Sequence, residues 1–550
     1  MVVAEAVVGS WGNQMGRRLL RPIPHQTTDQ QIEVRSFINK HSIMTEKIIT
    51  EAQHLVLGQA WHQRFAGWLF RNHRWFGVVA CVAVMLWAAS GIMHPIMSRL
   101  NPQPVNAQVQ QTPPMLHGAL TPSEVLTRAG IKEVSGLRVL AWNDASYYQV
   151  SIAGQNMRRY FEVNSGTELP DGDARYAEFL AHHFVYGEQG KDQVASVTRL
   201  EQFDDDYLSV NRLLPVVRVN FLRDDGLRAY VETSPPRLAS LVDDTKATLS
   251  WLFRVIHQWD FMNGWDNTRI ALMTGLLSMA LLSALSGIWM YGFLWRRDSL
   301  RATQRPLRRW HRSIGIAVSL STLLFTSSGA WHLLGSERRD VPTLLASNLS
   351  TAGLGLPDSV RHGNWGGISV VKMDGQIYYQ LTSAKKEMSA IAGEHDHSAK
   401  PDAAKPATQT IYIHAANGGI IPDAERRHAA GLAGQYSGLP DAQITAISLV
   451  TKFEGEYGFI NKRLPVWRVD YATPDHAAYY VETSSGALAT VVRDAARVEG
   501  WVFSYLHKFH WLDFAGKNVR DIVSVLFALG NLIVAVLGLW MFTRRYVRPA

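Results

Sequence analysis

Four histidines recur in a pattern that suits the binding of a cofactor between membrane helices. His73 and His94 lie 21 residues apart, as do His311 and His332, and each pair brackets an uncharged apolar stretch. In an α-helix each pair spans about 31 Å, roughly the thickness of a bilayer's hydrocarbon core, with both imidazoles toward one side. Polar side chains inside a membrane span usually serve a function. The duplicated spacing therefore predicts ligands for a cofactor held between helices.

Two further histidines repeat in the same way. His257 closes the sequence WLFRVIH and His507 closes WVFSYLH, each shortly before another apolar stretch. Histidines near a membrane surface are often simple interfacial residues, as other amphipathic side chains are there. Because both positions are duplicated, we give a role as ligands the same weight as an interfacial role. His510 has no such counterpart, since Asp260 stands at the equivalent place, so it ranks lower.

The repetition extends over most of the chain. LPVVRVN at 214–220 returns as LPVWRVD at 464–470, and AYVETS at 229–234 returns as YYVETS at 479–484. The order is the same in both copies. The sequence therefore predicts a tandem duplication of one unit, which consists of a helix, a large loop domain and a second helix.

Four uncharged stretches are long enough to cross a membrane. They are Trp75–Met93, Ile270–Trp295, Ser313–Trp331 and Ile522–Thr543. The chain has 550 residues, of which 47% are hydrophobic and 19% are charged, which fits a membrane protein with sizeable soluble parts. We therefore expect an integral membrane α-helical protein with four transmembrane helices, in contact with lipid.

Arginine clusters predict the orientation. The segment RRDSLRATQRPLRRWHR joins the second and third stretches, and RRYVRPA ends the chain. The positive-inside rule places these segments and both termini in the cytoplasm, and the two long connections on the periplasmic side. The clusters account for most of the net charge of +8, so we do not infer nucleic-acid binding.

These observations predict an order of segments along the chain. Alternating apolar and polar residues between helical stretches make each long connection an α+β domain. A polar, low-complexity insertion interrupts the second one. The expected transmembrane helices are 73–94, 267–295, 313–332 and 519–543, and the expected periplasmic domains are 95–266 and 333–518, with the insertion at 391–410. The expected cytoplasmic parts are an N-terminal segment with an amphipathic helix at 1–72, the Arg-rich loop at 296–312 and the tail at 544–550.

Cysteine usage limits the chemistry. Cys81 is the single cysteine, so no disulfide forms within the chain, and no Cys-x-x-Cys-His motif is present to attach a haem covalently. No Gly-x-Gly-x-x-Gly motif follows a strand, and no phosphate-binding loop motif occurs. The sequence therefore gives no sign of a nucleotide or flavin domain. Met1 and Met44 are both possible natural starts.

The chain resembles the PepSY-associated transmembrane family. The resemblance is carried by the His-Arg-Trp start of the first stretch, the Ser-Gly near its end, the strand segments ending in Val-Glu-Thr-Ser, and the Leu-His before the returning helix. It covers about residues 65 to 545. It implies two PepSY-like periplasmic domains in a protein of the bacterial inner membrane. The characterised members that it is similar to are haem-containing ferric-siderophore reductases.

That resemblance implies non-covalent haem b, two or more copies, with histidines as the axial ligands of the iron. His73 and His311 occupy equivalent places and are expected to hold one haem. His94, His332, His257 and His507 are the candidates at the other face, as one site across the symmetry axis or as two, for example His94 with His257 and His332 with His507. Arg269 and Arg520 are candidates for pairing with haem propionates or for simple interfacial anchoring.

Two classes of function follow. The first is an oxidoreductase that passes electrons through haem to ferric iron, with a ferric siderophore as the expected acceptor and a quinol or a separate reductase as the donor. The second is a non-redox scaffold or sensor, whose PepSY-like domains bind a periplasmic ligand or partner. A transporter is a weaker interpretation, because the spans carry no charged residues for an ion path.

Overall fold

The computed structural model describes residues 64–65, 67–109, 112–155, 157–187, 192–295, 306–335, 348–383 and 410–547. Most of the predicted N-terminal segment lies outside the described residues. So do the predicted insertion, apart from residue 410, and residues 296–305 of the Arg-rich loop.

Four long helices in the described residues are apolar enough to cross a membrane, which confirms the four predicted spans. They are α1 (Gly67–Leu100), α5 (Asp266–Trp295), α6 (Pro306–Gly335) and α10 (Lys517–Val547). Each backbone N–H and C=O within such a helix is satisfied internally, which a lipid environment requires. α6 packs against both α5 and α10. The protein is therefore a membrane protein with four candidate spans.

Shorter helices and eighteen strands fill the two long connections in the described residues. The shorter helices are α2 (Pro122–Arg128), α3 (Gly172–Tyr186), α4 (Asp244–Phe253), α7 (Asp358–Arg361), α8 (Ala424–Ser437) and α9 (Asp494–Val502). The strands of the first connection are β1 (Glu133–Val134), β2 (Gly136–Trp142), β3 (Ala145–Ser151), β4 (Arg159–Glu162), β5 (Glu168–Leu169), β6 (Val194–Leu200), β7 (Val216–Phe221), β8 (Arg228–Thr233) and β9 (Pro236–Val242). Those of the second are β10 (Leu349–Ser350), β11 (Trp365–Met373), β12 (Gln376–Ser383), β13 (Thr410–His414), β14 (Ile420–Ile421), β15 (Ile444–Val450), β16 (Val466–Tyr471), β17 (Ala478–Glu482) and β18 (Ala487–Val492).

One antiparallel sheet of eight strands runs through both connections. Its order is β14-β13-β12-β11-β2-β3-β4-β5, and β11 pairs with β2. In that pair Arg138 lies opposite Ser369. This pair and the strands on either side of it supply buried residues such as Val139, Tyr148 and Tyr379 to one shared core. The two connections, expected as two domains, thus share a continuous sheet and a core.

Each connection also has its own four-stranded sheet with a helix against it. The orders are β6-β7-β8-β9 and β15-β16-β17-β18, with a register irregularity at Tyr230/Val231 and at the corresponding Tyr480/Val481. α3 packs on the first sheet and α8 on the second, so apolar faces of helix and sheet cover each other. The matched orders give the two connections the same local architecture.

A buried ionic cluster ties the two connections together. Arg463 donates to Glu482 at 2.7 Å and to Glu232 at 3.3 Å, and Arg237 donates to Glu482. Glu232 and Glu482 are corresponding residues of the two repeats, and both are about 1–3% exposed. Burial alone would raise the pKa of Glu482, but the charges of Arg237 and Arg463 hold it well below its usual range. The cluster therefore stays charged at neutral pH.

Two short segments link the sheets to the spans. α4 continues into a π-helical turn, Arg254–Gln258, which carries His257. α9 continues in the same way into Phe503–His507, which ends at His507. π-helical turns are rare and often occur at functional sites. His257 and His507 thus each lie on a π-helical turn of their own.

Candidate functional site

Two groups of histidines lie at opposite ends of the helix bundle. We call His73 and His311 the distal pair, because they lie at the ends of α1 and α6 away from the sheets. The centres of their imidazole rings are 6.4 Å apart. With metal–nitrogen bonds of about 2 Å, two imidazoles that share one metal have ring centres roughly 6 Å apart. The distal pair is therefore spaced as two axial ligands of one iron would be.

Carbonyl groups of neighbouring spans orient the distal rings. Nδ1 of His73 lies 3.0 Å from the Ser283 carbonyl and 2.9 Å from the Ser286 hydroxyl, and Nδ1 of His311 lies 3.2 Å from the Val534 carbonyl. A carbonyl oxygen only accepts, so Nδ1 must donate and Nε2 keeps its lone pair. This is the arrangement by which metal-binding histidines are usually held.

Two glycines give the distal rings their room. A Cβ atom added at Gly287 on α5 would lie 3.3 Å from Cε1 of His73, and one added at Gly538 on α10 would lie 3.4 Å from Cε1 of His311. Both distances are tighter than ordinary van der Waals contact. The repeated sequences GIWM and GLWM contain these glycines. The spans therefore approach each ring closely because they lack a side chain there.

His94, His257, His332 and His507, the proximal cluster, lie at the ends of the spans next to the sheets. The Ser90 hydroxyl lies 2.8 Å from Nδ1 of His257, and the Ser328 hydroxyl lies 3.1 Å from Nδ1 of His507. The indole of Trp87 donates to the His257 carbonyl at 3.1 Å. Since Nδ1 is occupied in both rings, Nε2 is the nitrogen left to bind a metal.

One phenylalanine ring lies beside both histidines of each repeat. Phe253 stacks on His257 with ring centres 4.7 Å apart and lies 5.8 Å from His94. Phe503 stacks in the same way on His507 at 5.0 Å and on His332 at 4.0 Å. The two repeats thus place the same ring type at matching positions beside their histidines.

His257 and His507 of the proximal cluster are buried. Burial and, to a smaller extent, the neighbouring histidines together lower the pKa of His257 to about 4 and that of His507 to about 3. The two imidazoles are therefore neutral at physiological pH, which is the state that binds a metal.

One contact breaks the symmetry of the cluster. Glu499 on α9 accepts a hydrogen bond from Nδ1 of His332 and is 8% exposed. The corresponding residue of the first repeat is Leu249. A carboxylate partner increases the basicity of a ligating imidazole. A carboxylate thus contacts His332, whereas the corresponding position of the first repeat holds a leucine.

The predicted arginines have local partners. Arg269 donates to Asp266 at 2.7 Å and to the Gln258 carbonyl at 3.2 Å. Arg520 donates to Asp513 and to Nδ1 of His510 at 2.9 Å. Both guanidiniums thus have partners within the protein, although Nε of Arg269 is buried without a hydrogen-bond partner among the described residues. Their predicted role toward a cofactor stays a prediction.

The donor set fits haem better than a bare metal ion. The described residues contain no group of three or more histidine, cysteine, aspartate or glutamate side chains that would hold a metal ion. Haem brings four equatorial nitrogens with it and asks the protein for one or two axial ligands. Paired histidines with fixed Nδ1 atoms and glycines beside them supply that requirement.

Sequence reasoning missed several residues of the site. The Ser-Gly motifs supported the family resemblance, but the sequence did not show that their serines contact Nδ1 of His257 and His507. The repetition of GIWM and GLWM was visible, but its contact with the distal histidines was not. Phe253 and Phe503 lie four residues before a candidate histidine, and that spacing was a signal that could have identified them.

A family model matches most of the chain. The family model described as PepSY-associated TM region matches residues 70–545. No curated protein matches the chain.

Proposed function

We propose a function from the premise that the chain belongs to the PepSY-associated TM region family. The proposal is a transmembrane electron-transfer protein with non-covalent haem b, which reduces ferric iron, as a ferric siderophore, at the periplasmic side of a bacterial inner membrane. The Arg-rich loop and tail support cytoplasmic termini and periplasmic sheets. The tandem duplication and the PepSY-like character of the two sheet regions belong to the proposal. The matched strand orders support them.

The spacing of the distal pair carries the proposal. His73 and His311 would hold one haem iron, since their rings are 6.4 Å apart and both Nδ1 atoms contact backbone carbonyls. Gly287 and Gly538 keep the flanking spans from displacing the rings. When bound, haem supplies one-electron redox chemistry whose potential depends on its axial ligands and on burial.

A second haem is assigned to the proximal cluster. His257 and His507 are the best-placed ligands, because corresponding serines contact their Nδ1 atoms. His94 and His332 are the alternative pair. Either arrangement pairs corresponding residues of the two repeats, as the distal pair does. The protein's role at this end is to exclude water from the ligands and to fix the rings.

Reduction of the substrate is a one-electron step from Fe(III) to Fe(II). A quinol or a separate reductase supplies the electron at the distal end, because the sequence offers no flavin or nicotinamide motif. The ferric chelate accepts it at the proximal end, near the sheets. Hard oxygen donors hold Fe(II) less tightly than Fe(III), so reduction favours release of the metal.

The experiment combines spectra with activity. Each of the six histidines is replaced by alanine, and haem spectra and ferric-siderophore reduction are measured in the same membranes. We expect proximal variants to lose reduction of the substrate. Distal variants should keep the proximal haem signal but lose its reduction by the cytoplasmic donor. Wild-type spectra and activity in all six variants would contradict the assignment and favour the scaffold function.

A further inference from the structure

We propose that the first connection binds a small oxyanion, a carboxylate or a phosphate group, between Arg138, Arg158 and Arg199. The site lies in the sheet region, apart from the histidines. It is independent of the proposed function.

The three arginines come from neighbouring parts of two sheets, and the charge of Arg158 acts on both Arg138 and Arg199. Arg138 lies on β2 beside the central β2–β11 pair, and Gln149 and Tyr160 follow it in register across β3 and β4. Arg158 immediately precedes β4, and Arg199 comes from β6 of the four-stranded sheet. The side chains of Arg158 and Arg199 are 12% and 14% exposed, so the site is enclosed but reachable.

The guanidinium groups have only some of the partners they could bind. Arg158 donates to the Thr233 hydroxyl at 2.8 Å, and Nε of Arg199 lies 3.4 Å from Glu201. Nε and Nη1 of Arg138 and Nε of Arg158 are nevertheless buried without a hydrogen-bond partner among the described residues. Buried donors of a native protein are nearly always paired, and an unpaired one costs free energy. Burial lowers the pKa of Arg138 and of Arg199, and nearby carboxylates offset this effect only in part. Guanidinium nevertheless stays protonated in proteins.

The nearby carboxylates are already engaged. Asp173 accepts hydrogen bonds from the Tyr160 hydroxyl at 2.9 Å and the Thr233 hydroxyl at 2.8 Å, and lies 4.0 and 3.8 Å from Arg158 and Arg199. These two ion pairs are longer than hydrogen bonds. Glu482, whose charge acts on Arg138, is bound by Arg463 and Arg237. An anion between the three arginines would supply the missing charge and acceptors.

The second connection shows what the same framework looks like without this charge. The repeat places Ser369, Thr410 and Leu449 at the positions of the three arginines. The surrounding frame is otherwise kept, since Gln380 donates to the Tyr412 hydroxyl as Gln149 does to Tyr160. Framework stability therefore does not require the arginines, which points to a ligand as their reason.

Guanidinium groups bind carboxylate and phosphate alike, through paired N–H donors to two oxygens. The experiment is calorimetric titration of the full-length protein in detergent with inorganic phosphate and, separately, with citrate, at constant ionic strength in chloride. The arms distinguish a phosphate site from a carboxylate site. The variants are Arg138→Ser and Arg199→Leu, each taking the residue of the second repeat. Arg159→Ser is the control. This substitution removes the same charge, but Arg159 pairs with Glu168 at the surface and not with the proposed site.

Saturable binding of one anion per wild-type chain is expected. Arg138→Ser and Arg199→Leu should weaken it at least about tenfold, since each loses a charge-assisted hydrogen bond, while Arg159→Ser keeps it. Circular dichroism and gel filtration test whether Arg138→Ser folds; if it does not, Arg199→Leu decides. Failure of both anions to bind the wild type, or equal binding by Arg199→Leu and wild type, would overturn the proposal.

Discussion

The two halves of the chain agree around the histidines and differ in the sheets. His257 and His507 have corresponding serine partners and corresponding stacked phenylalanines, and glycines lie at matched places beside the distal pair. In the sheets, by contrast, the second half has serine, threonine and leucine at the positions that correspond to three arginines of the first half. Matched contacts around the histidines of the helix bundle thus contrast with unmatched charges in the sheet regions.

The buried acids illustrate the divergence. Asp173 and Glu425 occupy corresponding places at the start of α3 and α8 and accept from corresponding threonines, Thr233 and Thr483. Asp173 has two arginines within 4.0 Å. Burial raises the pKa of Glu425, which has no arginine pair among the described residues. One framework therefore holds an acid beside two arginines in one half and an acid without such a pair, among the described residues, in the other.

The sharpest test of the symmetric part replaces the distal glycines. Gly287→Leu and Gly538→Leu should each remove the distal haem, because even a Cβ atom would lie 3.3 or 3.4 Å from a ligand ring. Haem content, measured as extracted haem per chain, should fall by about half in either variant if two haems are bound. Gly275→Leu on the same helix is the control, since an added Cβ there meets nothing within 4 Å. Equal haem loss in Gly275→Leu would contradict the prediction.

The ionic cluster tests whether the two sheet regions act as one body. Glu482→Gln should lower the free energy of unfolding by about 3–5 kcal/mol, because it leaves Arg463 and Arg237 buried without their carboxylate. Glu232→Gln should cost less, since its contact with Arg463 is longer, 3.3 against 2.7 Å. The measurement is denaturant unfolding in detergent near pH 7. An equal, small effect of both substitutions would show that the cluster does not couple the regions.

Acid adds a second readout of the same cluster. The folded-state pKa of Glu482 lies below its ordinary value of 4.5, so its contribution to stability is complete above that pH. The contribution is lost as the pH falls from about 4.5 toward the depressed folded value. Wild type should therefore lose more stability than Glu482→Gln over this range. A parallel pH dependence in the two proteins would contradict the pKa shift.

The smallest expected effect concerns Glu499. Glu499→Leu installs the residue of the first half and removes the hydrogen-bond acceptor of His332. Loss of a hydrogen bond to a charged group should cost about 1–3 kcal/mol of unfolding free energy. The reverse exchange, Leu249→Glu, places an acid at the corresponding position of the first half. If Glu499→Leu leaves the denaturation midpoint of the wild type unchanged, the contact does not stabilise the fold.

Sequence patterns predicted the helices and strands that follow from the periodicity of apolar residues and from repetition along the chain. The four spans follow from long uncharged stretches, and the strands around Tyr148 and Tyr379 from alternating residues. The pairing of β2 with β11 did not follow, because the partner of an edge strand is set by surfaces far apart in sequence. The same limit hid Glu232 and Glu482 as one cluster: the repeat matched them, but nothing local showed that they meet across Arg463.

The candidate site was likewise predictable from the sequence only in part. Histidine spacing identified the candidate ligands, because a helix converts sequence period into geometry; their binding of a cofactor stays a prediction. Side chains that orient them, such as Ser90 and Glu499, contact their histidines across helices, and their types alone do not reveal a partner. The positions of Phe253 and Phe503 beside both histidines of a repeat also depend on contacts between helices.

We propose that His73 and His311 share one haem. This is tested by the reduced-minus-oxidised absorption spectrum of the purified full-length protein, for wild type and for His73→Ala, His311→Ala and the double variant. We expect a non-covalent b-type spectrum in wild type and loss of the same component in all three variants, the double variant losing no more than either single variant. A colourless wild-type protein, or single variants that lose different components and add in the double, would contradict it.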